Sequence, residues 1–306
     1  MDFELLVKTQ DGLIAAGQCR DLGISADKVK HWVRERSWRV ITRGVYLVDV
    51  HMLEAKPLTP RRLIRAAQLA LGPHAVIVLE SAAELLGIEG LRRGKQIHVS
   101  LEGPYARPRR LGNAVLVPHQ LVLRSTDVME IDGMRVTSAA RTVADLMLKV
   151  RRYEAISALD HALNRALISE DELPILYQMM AGRRGVKSAR KWLEQADGRA
   201  ESPLETRARL RCADGGVPPD DLQVLIQDER GVVIARADML WRRYRLIGEA
   251  DGEAAHSMPE PIFRDRVRQN ALAAAGFSVV RFTWTDTLDP DRIPRIVRAA
   301  MRGQSC

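Results

Sequence analysis

Two groups of side chains in this 306-residue chain have the types and spacing to do chemistry. Between Lys28 and Val48, six basic residues (Lys28, Lys30, Arg34, Arg36, Arg39 and Arg43) stand against one acid, Glu35. With His31 they concentrate positive and hydrogen-bonding groups of the kind that hold phosphate oxygens. Far downstream, Asp238 and Glu249 fall on two adjacent predicted strands joined by a tight turn, so their carboxylates can converge. Glu205 lies on a preceding predicted helix, and Asp251 follows Glu249 by two residues.

The elements that must position the basic group are short. Residues 3–9 read as a first helix and 12–22 (GLIAAGQCRDL) as a second. Gly23 breaks the chain, and Ser25 is a good N-cap for a third helix over 26–37. There Val29, Trp32 and Val33 fall at i, i+3 and i+4, one buried stripe, which leaves Lys28, Lys30, His31 and Arg34 pointing elsewhere. Residues 39–48 read as two strands with a turn at Arg43-Gly44. Three helices and a hairpin predict a winged helix-turn-helix, whose third helix enters the major groove while flanking cations hold the backbone. The alternative is a protein-interaction winged helix whose basic face is merely solvated.

The run QDGLIAAGQCRDLGIS…VKHWVRERSWRVITRGVYLV resembles the N-terminal winged-helix domain of AbiEi-type antitoxins. The Gln-Asp-Gly start, a Gln in the second helix, a Trp before the wing and the Arg-Gly-Val-Tyr ending carry the likeness. The resemblance implies binding to operator DNA and repression of the protein's own promoter beside a nucleotidyltransferase-like toxin. SAAELLGI and VTSAARTVADL resemble the region behind the winged helix in the same family.

In the middle stretch, residues 60–80 predict a helix, a Gly-Pro break and a buried strand, followed by a short helix at 81–87. Ile97–Ser100 and Ala114–Val117 read as strands bracketing a basic loop with Arg107, Arg109 and Arg110; Arg92, Arg93 and Lys95 lie just upstream. Val136–Ser138 leads into a helix to about Met147, and further helices fill 153–196. No catalytic constellation is visible here. His98 and His119 read as lone structural histidines and Arg141 as a salt-bridging residue.

The last third has the order helix, three strands, helix, strand, helix. Ser202-Pro203 starts its first helix as N-cap and first-turn Pro. Strands follow at 222–228, 232–241 and 244–249, then a helix at about 261–275, a strand at Ser278–Trp284 and a helix at 291–302. SPLETRARL, ARADMLW, GEADG and RDRVRQNAL…GFSVVRFTW resemble the very-short-patch-repair-endonuclease-like family, of restriction-endonuclease-like fold, over nearly all of residues 200–302. That resemblance implies Mg²⁺ held by Asp238, Glu249 and Glu205, because a hard cation takes oxygen ligands and a phosphodiester needs charge neutralised as water attacks. It also implies catalytic roles for Glu205, Asp238, Glu249, Asp251 and His256. Relatives follow the pattern D-G-x-x-K-Y, whereas this chain has Asp251-Gly252-Glu253-Ala254-Ala255-His256. Ala255 thus stands where a lysine would stabilise developing charge, and a neutral His256 is a weaker partner. Arg264, Arg266, Arg268 and Arg281 are secondary candidates for a basic face beside the same acids.

Composition agrees with a globular DNA-binding chain. Lys plus Arg (47) exceed Asp plus Glu (39), for a net charge of +8. Cys19, Cys212 and Cys306 fit neither a disulfide framework nor a zinc site. No apolar run spans a membrane and the acidic start lacks a secretory signal, so a cytoplasmic location is expected. The expected fold class is α+β multidomain: a winged helix-turn-helix at 1–55, an AbiEi-like α/β domain at 56–196, and a restriction-endonuclease-like αβββαβ core at 197–306. The expected function is DNA binding as an antitoxin-type transcriptional regulator with a degenerate nuclease-like domain. The alternatives are a Mg²⁺-dependent DNA endonuclease targeted by its N-terminal winged helix, and a structural adaptor.

Overall fold

The computed structural model describes residues 2–48, 58–92, 94–101, 107–251 and 259–303, without the side chains of 259–265. By contacts it divides into two compact units: Met1–Lys149 with Asp171–Val186, and Val150–Glu170 with Lys187–Cys306.

The first unit begins with α1 (Phe3–Thr9), β1 (Leu13–Ala15), α2 (Ala16–Asp21), α3 (Ala26–Arg34), β2 (Trp38–Thr42) and β3 (Val45–Val48). Ser25 caps α3, its side chain accepting from the Lys28 N–H. The expected helix over 12–22 is split, and its first turn is instead β1, paired with β3 through Leu13↔Leu47 and Ala15↔Val45. The physical reason is burial on two faces. Leu13, Val45 and Leu47 face a core shared with the next helix, while Ile14 and Val48 face α1–α3. A strand covered on both sides reads as a continuous apolar run, which a buried helix imitates. The third helix stops at Arg34 rather than at residue 37, because Arg36 turns left-handed (φ 59°) to start the hairpin. Gly44, at φ 78°, closes the β2–β3 turn.

α4 (Pro60–Leu71) follows, N-capped by Thr59, then β4 (Val76–Ile77), α5 (Leu79–Leu86), β5 (Gln96–Ser100), β6 (Arg109–Leu111), β7 (Ala114–His119), β8 (Val128–Ile131), β9 (Met134–Thr137), α6 (Ala139–Met147) and, after the unit's chain resumes, α8 (Leu173–Met180). One six-stranded sheet has the order β6-β7-β5-β4-β9-β8. β5/β7 and β4/β9 are parallel and the other pairs antiparallel. The stretch expected as a basic loop supplies an edge strand, β6, that carries Arg109 and Arg110. α4 lies between the two sheets of this unit: Leu63, Ile64, Ala66 and Ala67 pack with Leu13 and Leu47 and with Ile77 and Val99.

The second unit comprises α7 (Arg152–Asn164), α9 (Val186–Leu193, from Lys187 onward), α10 (Pro203–Asp214), β10 (Asp221–Gln227), β11 (Val233–Trp241), β12 (Leu246–Ala250), α11 (Pro259–Ala274), β13 (Ser278–Phe282) and α12 (Arg292–Gly303). Its sheet runs β10-β11-β12-β13, parallel only between β12 and β13, the pair joined by the α11 crossover. The order helix, three strands, helix, strand, helix is the one anticipated from the sequence. α10 and α12 cover one face through Ala208, Cys212, Ile293 and Val297 against Met239, Trp241 and Phe282; Leu272 of α11 packs on the other against Ala237, Leu240 and Ile247. Gly248 is required where it stands, since a Cβ there would lie 2.9 Å from Phe282 Cε2 and 3.0 Å from Trp241 Cζ3.

α7 is fastened to α10 by Asp160, which is 0% exposed. It accepts hydrogen bonds from Asp197 N, Thr206 Oγ1 and Arg209 Nη2, each at 2.8 Å. Burial pushes its carboxyl up to about 6, the three donors opposing that rise. A carboxyl whose folded pKa lies above its unfolded value contributes stability that is fully present below about pH 4 and lost as pH rises through 6. Wild type should therefore lose roughly 2–3 kcal/mol relative to Asp160→Asn between pH 4 and 7. The variant, with Arg209 deprived of its carboxylate, is weaker throughout but flatter with pH. Urea unfolding across that range measures the difference, and equal slopes would contradict it.

Candidate functional site

In the first unit the basic face is built as its sequence implies. Lys28, Lys30, His31, Arg34, Arg36, Arg39 and Arg43 are all exposed. Val29 is buried and Trp32 and Val33 half-buried, so the apolar stripe of α3 is spent on the core and the cations face out. Trp32 packs tilted against Trp38 at 4.5 Å between centroids, and Lys28 Nζ sits 5.0 Å over the Trp32 ring. Lys30 pairs with Asp27 at 3.1 Å, an exposed contact of little strength. Arg34 Nε reaches only the Lys30 carbonyl, at 3.5 Å. Among the described residues no carboxylate pairs with Lys28, Arg34, Arg36, Arg39 or Arg43.

The hairpin tip is joined to the six-stranded sheet. Gly112 N donates to Ile41 O at 2.8 Å and Thr42 Oγ1 to Arg110 O at 3.1 Å. A cleft of about 670 Å³ runs along this joint, lined by Val40, Thr42, Arg43, Arg109 and Arg110. Arg110 is exposed, whereas Arg109 donates to Ala70 O at 3.0 Å. The basic face thus continues from the hairpin onto β6.

In the second unit the four predicted acids do not form one cluster. Glu205 and Asp238 come together. Ser202 Oγ donates to Glu205 Oε1 at 2.8 Å, and Gln223 Nε2 bridges Glu205 Oε2 at 2.8 Å and Asp238 Oδ1 at 3.4 Å. Ala250 N donates to Asp238 Oδ2 at 2.8 Å. Burial raises the Asp238 carboxyl above the usual carboxylate range, and the neighbouring Glu205 charge raises it further. Glu249 is engaged elsewhere: Arg268 Nη2 binds Oε1 and Arg281 Nε lies 3.3 Å from Oε2. Asp251 is half-buried, with its N–H on Phe282 O. His256 and Ala255 lie outside the described residues, as does the side chain of Arg264; Arg266 is exposed.

Gln223 was missed by sequence reasoning. It lies between the paired residues Leu222↔Met239 and Val224↔Ala237, hence across from Asp238. It is held at φ 53°, which is strained for a residue with a side chain. Its Oε1 is buried with no hydrogen-bond partner among the described residues. Two carboxylates and an unpartnered amide oxygen are a donor set that suits a hard divalent cation. Glu249, neutralised by two guanidinium groups, does not add to it, and no group of three or more His, Cys, Asp or Glu is gathered among the described residues.

The two acids should behave oppositely when neutralised in metal-free buffer. Glu249→Ala removes the carboxylate that Arg268 and Arg281 share and should cost about 1–3 kcal/mol. Asp238→Asn keeps an acceptor for Ala250 N and removes the repulsion with Glu205, so its stability should stay within about 1 kcal/mol of wild type or rise. Chelator-treated urea titrations compare them; equal losses would contradict the assignment.

Residues 75–195, from β4 through α9, match the AbiEi antitoxin C-terminal domain. Two proteins of Mycobacterium tuberculosis described as uncharacterized, from strains CDC 1551/Oshkosh and ATCC 25618/H37Rv, are each 32% identical to this chain over 237 residues, covering 77% of it and 84% of the relative. No helix among the described residues is long and apolar enough to cross a membrane. The chain belongs to the family of these mycobacterial proteins, with residues 75–195 similar to the AbiEi antitoxin C-terminal domain.

Proposed function

We propose that the protein is a DNA-binding regulator of antitoxin type that reads duplex DNA through a winged helix at residues 1–55. The observation that carries this is the exposed face of α3 and the β2–β3 hairpin, where five cations have no carboxylate partner among the described residues. α3 enters the major groove, presenting Lys28, Lys30, His31 and Arg34, while Arg36, Arg39 and Arg43 hold the flanking backbone. The AbiEi domain supports the antitoxin role, and a nucleotidyltransferase-like toxin encoded nearby is the proposed protein partner. The cytoplasm is the proposed location.

Binding to the protein's own promoter, followed against salt, tests the reading. Each phosphate contact removed lowers the salt slope by about 0.9. Arg34→Ala and Arg43→Ala should each weaken binding and flatten the slope by about that amount. Unchanged affinity and slope in both would sink it.

A second reading rests on the Glu205–Asp238 pair and the unpartnered Gln223 Oε1: a Mg²⁺-dependent DNA endonuclease targeted by the same winged helix. Glu205, Asp238 and Gln223 would hold the cation, which when bound supplies charge neutralisation beside a phosphodiester. The paired state of Glu249 supports the view that this module is degenerate. Supercoiled plasmid with Mg²⁺ or Mn²⁺ decides: nicking by wild type and its loss in Asp238→Ala establish the enzyme, and intact plasmid with both proteins removes it.

A further inference from the structure

The histidines read as lone from the sequence are a pair. β5 and β7 run parallel, and His98 Nδ1 lies 2.8 Å from His119 Nε2. On the far side of His98, its Nε2 stands 3.5 Å from Glu80 Oε2, a buried oxygen with no hydrogen bond among the described residues. Burial holds both rings neutral, His119 down to about 4. Each ring therefore carries one proton, and the three groups fix where it sits. A carboxylate only accepts, so the His98 proton belongs on Nε2 beside Glu80. That leaves His98 Nδ1 bare, and the shared hydrogen bond must then be donated by His119 Nε2. The remaining nitrogen, His119 Nδ1, is a bare acceptor with no hydrogen bond to any described residue.

His119 lines a cavity of about 250 Å³ with Leu79, Asp145, Lys149, Arg183 and Arg184. Asp145 is already spent, its oxygens on Arg141 at 2.9 Å and Arg183 at 2.6 Å. Lys149 and Arg184 are exposed and make no ion pair among the described residues. Leu79 holds a left-handed backbone (φ 54°) at the cavity wall, a conformation that a bulky side chain rarely tolerates. Cations surrounding one neutral acceptor are complementary to an anion that still carries a proton.

We infer that this cavity binds inorganic hydrogen phosphate, whose P–OH donates to His119 Nδ1 while Lys149, Arg183 and Arg184 take its other oxygens. Sulfate has the same shape and charge but no proton to give at neutral pH. It places an oxygen lone pair against the lone pair of Nδ1, so the site rejects it.

The test compares inorganic phosphate, glycerol 3-phosphate and sulfate on the full chain by calorimetry, with the His119 Nδ1 resonance followed by ¹⁵N NMR to place the binding. Phosphate should bind at least about tenfold tighter than sulfate, the worth of one charge-assisted hydrogen bond. Phosphate should also shift Nδ1. Glycerol 3-phosphate, mainly a dianion without a P–OH at neutral pH, should bind no tighter than sulfate, and ester binding as tight as that of free phosphate overturns the donated hydrogen bond. Lys149→Ala and Arg184→Ala, at exposed positions that leave the fold intact, should weaken both anions several-fold in parallel. His119→Phe should abolish the preference while sulfate binding persists. Equal affinity for phosphate and sulfate, an unmoved Nδ1 resonance, or full phosphate affinity in both cation variants overturns the site. The DNA-binding reading does not depend on it, and the promoter titration fails or succeeds separately.

Discussion

The geometry of the first unit depends on one carboxylate. Asp11, in a left-handed turn (φ 59°) ahead of β1, accepts from Arg61 Nε at 3.1 Å and Arg65 Nε at 3.3 Å. Its carbonyl takes Arg62 Nε at 3.1 Å. The same arginines reach the β8–β9 turn, Arg61 on Asp132 Oδ2 and Arg65 on Asp132 O, both at 2.7 Å. Arg65 is 3% exposed, and a charge so buried is tolerable only when its donors are used. One corner therefore fixes the three-stranded sheet, α4 and the six-stranded sheet together, and apolar packing completes what the ion pairs orient. The Gln-Asp-Gly start that marks the sequence is, physically, this corner: Gln10 exchanges hydrogen bonds with Gln18, Asp11 holds the arginines, and Gly12 turns at φ 87°.

The consequence for recognition is preorganisation. A hairpin free at its tip can adjust to a duplex, but it loses freedom in doing so. Here the tip is hydrogen-bonded to β6, and the other face of its sheet is buried against α4. The spacing between α3 and Arg43 is set before any ligand arrives. Arg110 stands at a fixed place beside them.

What was legible in the sequence follows from how local its cause is. Ser25, Thr59 and Ser202-Pro203 announce helix starts because a cap is a contact three residues long, and the strands of the second unit alternate with clear turn residues. β1 was not legible, because Leu13-Ile14-Ala15 takes its conformation from Leu47, Tyr46 and Val45, 30 to 34 residues on. β6 was hidden among arginines that read as loop. The His98–His119 pair was invisible for the same reason: only the parallel register of β5 and β7 closes 21 residues of separation to 2.8 Å. Gln223 gave no signal, since a lone amide gains meaning only from the two carboxylates it bridges.

The acids of the second unit show how burial and satisfaction separate structural roles from chemical ones. Asp160 is fully buried and receives three good donors that offset part of its burial cost, and it locks two helices. Glu249 is nearly as buried and is held by two guanidinium groups across β13 and α11. Asp238 is different. It has one strong donor, a stretched amide contact and a like charge beside it, and the amide serving both acids leaves its own oxygen stranded. Selection for stability alone would neutralise one of these acids or turn Gln223 into an apolar residue. An arrangement that retains two carboxylates and an orphaned oxygen in a strained strand is complementary to something positive, whereas Glu249 already has its cations within the chain. The distinction lies in unmet hydrogen-bonding capacity, not in the number of acids on neighbouring strands, and it makes Glu205, Asp238 and Gln223 the residues at which any surviving chemistry of this module is to be sought.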